Sequence, residues 1–220
     1  MSRRLIVTMI LVASLPHVAS AQWNLARRTI GDTRLSMSVG VDPAVIGSVG
    51  LHHTVRIVGL RTQLGADAGI VGGEADLRDY RARLGAEVQL VELGQVRVAA
   101  ALSGIVRGTS TLLFRGTNIG ADAGLTAGLY RRGWFVAGEA GFDKAILTHL
   151  VHSDWYRERV YREAKDGWYL DNGGTWRFGA AIGVSVGATE LLLRGGLQRT
   201  QGWEPLLVPA YLSIGVGFDL

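Results

Sequence analysis

The final stretch YLSIGVGFDL, Tyr211 to Leu220, sets large apolar side chains at Leu212, Ile214, Val216, Phe218 and Leu220, with small or charged residues between them. Successive side chains of a β-strand point to opposite faces, so this alternation predicts a strand with one apolar and one polar face. Working back from the end, the same period recurs. Trp176, Phe178, Ala180, Ile182, Val184 and Val186 carry it, as do Trp134, Val136, Gly138, Ala140 and Phe142. Ile119 through Leu129 form another run, preceded by Val96, Val98, Ala100, Leu102 and Val106. Before these come Tyr80 to Leu90, Leu60 to Ile70, Val49 to Ile57 and Leu35 to Val41. A stretch near 190 to 200 is blurred by consecutive Leu191, Leu192 and Leu193. The reading is ten strands, or eight if the short first pair does not span.

Connections alternate in length. Tight turns are expected near Val58, Glu92 to Gly94, Arg131 to Gly133 and Ala188-Thr189. Longer ones are expected over Gly72 to Asp79, Arg107 to Thr117, Lys144 to Thr175 and Gln201 to Pro209. An even number of strands with short turns at one end and longer loops at the other predicts an all-β, closed antiparallel transmembrane barrel. Closure pairs every backbone group without water, which an open sheet in lipid could not do.

Alternation alone also suits a soluble barrel with an apolar interior. The polar parity decides between them. It carries Arg56, Arg61, Asp67, Arg81, Arg83, Glu87, Arg97, Arg107, Asp122, Glu139, Asp143, Arg177, Arg194 and Asp219, interleaved with glycines. Arginine and carboxylate beside glycine suit a crowded lumen of bidentate pairs, whereas solvated strands favour lysine and threonine. The whole chain has only two lysines, Lys144 and Lys165, against 21 arginines, and it has 31 glycines in 220 residues. In the near-repeat LGADAGI (Leu64 to Ile70) and IGADAGL (Ile119 to Leu125), Asp67 and Asp122 each have glycines two places either side. Those glycines leave room for an arginine from a neighbouring strand. Aromatic girdles are expected from Tyr80, Phe142 and Trp176 at one rim and from Tyr130, Trp134 and Phe218 at the other.

At the amino end, Arg3 and Arg4 precede an apolar run from Leu5 to Leu15, and Ala19-Ser20-Ala21 offers a small-x-small cleavage site. Residues 1–21 therefore read as a secretory signal peptide, too short in its apolar part to span a bilayer. Residues 22–33 follow as a periplasmic lead-in, and residues 34–220 as the barrel. Without Arg3 and Arg4 the balance is 21 basic against 19 acidic residues, and no nucleic-acid partner is expected. The absence of cysteine excludes a disulfide framework and a cysteine-ligated metal.

With its signal peptide, alternating strands and last stretch, the chain resembles small bacterial outer-membrane β-barrel proteins of the opacity-protein or porin-like type. The resemblance implies a location in the bacterial outer membrane, contact with its lipid, and recognition of the strand 211–220 by the barrel-assembly machinery. Such proteins usually end on an aromatic residue; this one ends on Leu220, with Phe218 two places earlier. The resemblance is architectural and carries no catalytic motif.

The connection from Lys144 to Thr175 is the most distinctive. It holds Trp155, Tyr156, Tyr161, Trp168 and Tyr169, an aromatic set that could bind a small molecule or surface ligand or cap the barrel. Ser153 is placed to cap a helix from Asp154 to about Lys165 with Gly167 as its stop, supported by Glu158–Arg162 and Arg159–Glu163 pairs. His149, His152, Ser153 and Asp154 offer weak catalytic candidates, as a hydrolase constellation or as ligands for a metal. Adjacent strand residues face opposite ways, which argues against a His152–Ser153 dyad. No cofactor or resident metal is expected, and no nucleotide or zinc-protease motif occurs. A non-enzymatic barrel leads, with an envelope-modifying enzyme and a narrow porin as rivals.

Overall fold

The computed structural model describes residues 23–41, 44–72, 78–170 and 173–220. The proposed signal peptide lies outside these residues. In chain order the elements are β1 (Thr33–Val41), β2 (Val45–Ile57), β3 (Leu60–Val71), β4 (Tyr80–Leu93), β5 (Val96–Ser110), β6 (Phe114–Arg131) and β7 (Trp134–His152). Then come a short helix α1 (Asp154–Arg159), β8 (Gly167–Leu170), β9 (Gly174–Val186), β10 (Thr189–Thr200) and β11 (Pro205–Asp219).

Ten strands pair antiparallel in sequence order, and β1 closes the ring on β11 with Arg34 opposite Asp219 and Val41 opposite Leu212. The final stretch, Tyr211 to Asp219, thus lies in the closing strand. The eleventh, β8, pairs only with the upper part of β7, Leu147 facing Leu170. At the turn end, β2 passes to β3 through Val58 and Gly59, both at positive φ (50° and 81°), the backbone that matches the twist of a two-residue hairpin.

The two faces divide as alternation requires. Leu84, Leu102, Leu191 and Ile214 are exposed on the outer wall, while Arg83, Ser103, Glu190 and Arg194 are buried inside. The three consecutive leucines resolve the same way, since Leu191 and Leu193 point out and Leu192 is 3% exposed in the lumen.

Several boundaries differ from expectation. The ten barrel strands run from nine to 19 residues, and β5, β6 and β7 extend into two of the expected loops. The connection expected over Arg107 to Thr117 shrinks to Thr111–Leu113, and the long one starts after His152 rather than at Lys144. Helix α1 stops at Arg159, with Val160 as its C-cap, instead of reaching Lys165, and Gly167 begins β8. Arg162 and Glu163 therefore fall beyond the helix that was to pair them.

Tyr130 does not join a rim girdle. Its even position beside outward Leu129 turns it into the lumen, where it stacks on Phe135 at 5.1 Å. At the loop end the belt is better formed. Phe142 and Trp176 sit 4.4 Å apart on paired strands, and Trp203 stacks on Trp176 and Phe178 at about 6 Å.

Candidate functional site

The lumen is organised by reach. Several long side chains cross small residues on neighbouring strands to find partners two or three strands away, and others pair with the adjacent strand. Tyr211, Gly196, Gly179 and Glu139 lie in one row across β11, β10, β9 and β7. The tyrosine ring passes over both glycines, and its hydroxyl donates to Glu139. Arg194 reaches the same carboxylate over Ala181, donating from Nε at 2.9 Å and Nη2 at 2.6 Å. Arg177 crosses Gly141, whose Cβ would lie 3.0 Å from its Nη2, and pairs with Asp122. Asp67 receives Arg83 through two nitrogens at 3.1 and 3.2 Å. Arg107 joins Asp143 and donates to Asn118 at 3.2 Å.

Both repeat aspartates thus hold an arginine, as expected, but their flanking glycines do not make the room. Gly65 gives way to the His52 ring instead, and Arg177 uses a glycine on another strand. Of the remaining expected lumen charges, Arg81 and Arg97 are buried and Glu87 meets Arg28. Arg61 is half-buried near Gln89 and Glu92, and Arg56 is exposed at the turn end, outside the network. Arg56 stands one residue from the end of β2, where the wall no longer encloses its side chains.

The turn end of the lumen is filled from an unexpected source. Within the stretch 22–33, read from sequence as a periplasmic lead-in, the described residues 23–32 begin as a plug inside the barrel. Trp23, Asn24 and Leu25 are fully buried. The Asn24 backbone N–H donates to Glu190 Oε1 at 2.8 Å and its side-chain amide to the Arg131 carbonyl at 2.7 Å. Arg97 donates to the Leu25 carbonyl at 3.1 Å. Trp23 and Leu25 join Tyr130, Phe135, Ala99, Ala137, Ala181 and Leu192 in an apolar cluster inside an otherwise ionic lumen. One void, among Glu87, Asp122, Thr126, Glu139, Arg177 and Arg194, measures about 30 Å³.

The loop candidates do not gather into one site. His149 packs on Trp168 at 4.8 Å, and His152 bonds Asp166 through Nδ1 at 3.1 Å. Ser153 donates to the Leu112 carbonyl at 2.7 Å and accepts the Tyr156 N–H at 3.1 Å, so its hydroxyl is a helix cap and meets neither histidine. Asp154 is exposed beside Arg157. The aromatic residues likewise spread: Trp155 lies under Arg159, Tyr156 on His152 and Tyr169 against the Lys165 carbonyl, while Tyr161 and Trp168 are exposed. Among the described residues, no three His, Asp or Glu come together as metal ligands. Among the described residues a serine–histidine contact lies elsewhere: Ser36 Oγ and His52 Nε2 are 3.0 Å apart, buried in the lumen. Ser36 and His52 both lie on the inward parity of their strands, and register brings them together.

Asp166 fastens the loop. It accepts the His152 backbone N–H at 2.8 Å and pairs with Arg157, and the backbone bond foremost lowers its pKa from 3.8 to about 2. A carboxylate held below its unfolded value stabilises the fold above that value, and the contribution disappears as pH falls through the folded one. Cleavage by pepsin within Ser153–Lys165 is therefore expected to rise between about pH 4 and pH 2 relative to Asp166→Asn, which lacks the titrating group. Equal pH dependence in the two proteins would remove Asp166 from this role.

No protein-family model matches the sequence, and no curated protein sequence matches it. Among solved structures the chain is similar to LpxR from Salmonella typhimurium, at 14% identity and a TM-score of 0.38, over 80% of this chain and 73% of that one. It is also similar to the N-terminal β-barrel domain of Pseudomonas aeruginosa OprF, at 10% identity and 0.33, over 88% and 100%. A mutant Rh. blastica porin is more distant, at 8% identity and 0.18, over 86% and 98%.

Proposed function

We propose that this chain is an exported, integral outer-membrane β-barrel that does not conduct. In this reading it serves as a rigid anchor holding the β6–β7–β8 hairpin and α1 above the outer surface. The observation that carries the reading is the partition of its wall. Large apolar side chains are exposed outside, and the inside is packed with buried ion pairs and, at the turn end, with Trp23, Asn24 and Leu25. A soluble barrel would reverse that partition. The loop-end belt of Phe142, Trp176, Phe178 and Trp203 suits a membrane interface, where aromatic rings sit at headgroup level. With the turns and the termini on the periplasmic side, the hairpin faces outward and offers Trp155, Tyr156, Tyr161, Trp168 and Tyr169 to a surface ligand. Assembly proceeds through the C-terminal strand.

Two measurements test this. The refolded protein is expected to migrate faster unboiled than boiled on a semi-native gel, and a band indifferent to boiling would contradict a membrane barrel. In planar bilayers the folded protein is expected to give no conductance steps. Regular unitary steps would replace the anchor reading with the narrow porin.

A further inference from the structure

We propose that the turn-side half of the lumen is a peptide-binding site, which the chain occupies with its own residues Trp23 to Arg28. The ligand class is a short linear peptide with an indole, then asparagine, then arginine. Three features separate a binding site from ordinary packing.

The seat is built without the segment. Arg34 crosses Gly217 to pair with Glu190 at 3.0 Å and donates to Asp219 from Nε at 2.7 Å; Arg97 pairs with Glu92 at 2.8 Å. All of these groups belong to the wall, so the pocket keeps its charges in place when the segment leaves.

The segment is held as a peptide ligand is held. Main-chain atoms of two successive residues are read by charged side chains, Asn24 N–H by Glu190 and the Leu25 carbonyl by Arg97. Its side chains fill matched positions. The Trp23 indole lies in a cradle where a Cβ at Gly215 or Gly217 would come within 3.3 or 3.0 Å of the ring, and Arg34 covers it at 5.4 Å. Arg27 pairs with Asp219 at 3.0 Å, and Arg28 with Glu87.

The tether is separable. Thr29 to Asp32 are exposed and lead out of the lumen to β1. A ligand tied by so short a link enjoys a high effective concentration, which excludes a free competitor until the link is cut. The site therefore recognises in trans what it holds in cis, and its affinity is masked in the intact chain.

The test cuts the tether after folding. A specific protease site is inserted between Ile30 and Gly31 of the full chain, and the folded barrel is cleaved there in detergent. The released segment is expected to remain with the barrel through gel filtration. It should then exchange for a fluorescent synthetic peptide of residues 23–30, while the uncut protein takes up none. A synthetic peptide with Trp23→Ala should compete at least about thirtyfold less well, as loss of a buried aromatic anchor implies. A segment that elutes free while the barrel still shifts on boiling would overturn the proposal. So would a segment that stays but never exchanges, which would make it a structural plug. Neither outcome touches the anchor reading, which is judged by conductance and heat-shifted migration of the uncut protein.

Discussion

Replacing Glu190 with alanine is expected to lower the stability of the folded barrel by about 3–5 kcal/mol, the cost of breaking a buried ion pair by deleting one partner. Glu190 is 0% exposed and is the point where wall and plug meet. Its carboxylate takes Arg34 at 3.0 Å, the Asn24 N–H at 2.8 Å and the Ser185 hydroxyl at 3.4 Å. Alanine strands the guanidinium and a main-chain donor in a space too small to admit their full hydration. Glu190→Gln keeps an acceptor for Asn24 and should lose less. The urea midpoint of reversible unfolding in detergent reads the difference; a midpoint unmoved by Glu190→Ala would mean that the turn end is solvated rather than packed.

The second large effect is expected at a residue with no side chain. Gly179→Val should destabilise the barrel by about 3 kcal/mol, at the upper end of overpacking costs. Its new methyls would occupy the path of the Tyr211 hydroxyl to Glu139 and press on the Gly195 carbonyl. Tyr211→Phe removes only the hydroxyl and should cost about 1.5–3 kcal/mol, as for a hydrogen bond to a charged group. The double variant Gly179→Val/Tyr211→Phe should lose less than the two single effects added, because the valine then meets one obstacle fewer. Strict additivity, measured by the same midpoints, would separate the glycine from the tyrosine row.

These two sites mark how much could be seen in sequence. Alternation is a local property, so the ten barrel strands and most of the inward charges, though not Arg56 or the short β8, were legible from Leu35 to the closing strand. Partners were less so. That Asp122 would hold an arginine followed from charge and glycine, but which arginine depends on register, and Arg177 arrives over Gly141 rather than over the glycines beside the aspartate. The rise of β6 and β7 above the barrel was masked because their upper residues, Phe114 to Thr117 and Lys144 to His152, do not alternate cleanly. The plug was the largest omission. Trp23-Asn24-Leu25 has no period and too few residues to signal structure, and its burial comes wholly from the cavity that the rest of the chain makes. Tyr130 and Phe135 gave a fainter clue, since two aromatics on inward parity at one end imply an apolar patch needing cover. The loop candidates show the reverse: Ser153 and His152 are adjacent in sequence, yet the serine is committed to capping α1 and the histidine to Asp166.

A wall with lipid outside and packed ion pairs within is directly measurable in a chain that lacks cysteine. Leu102 and Ser103 are neighbours on β5, the first 65% exposed on the outer wall and the second 8% exposed in the lumen. Single variants Leu102→Cys and Ser103→Cys, folded into lipid vesicles, are challenged with a membrane-impermeant maleimide and with a lipid-soluble one. Leu102→Cys should react only with the lipid-soluble reagent, and Ser103→Cys with neither until the barrel is unfolded. Rapid aqueous labelling of Leu102→Cys would mean that the apolar wall faces water, and rapid aqueous labelling of Ser103→Cys would mean an open, water-filled lumen.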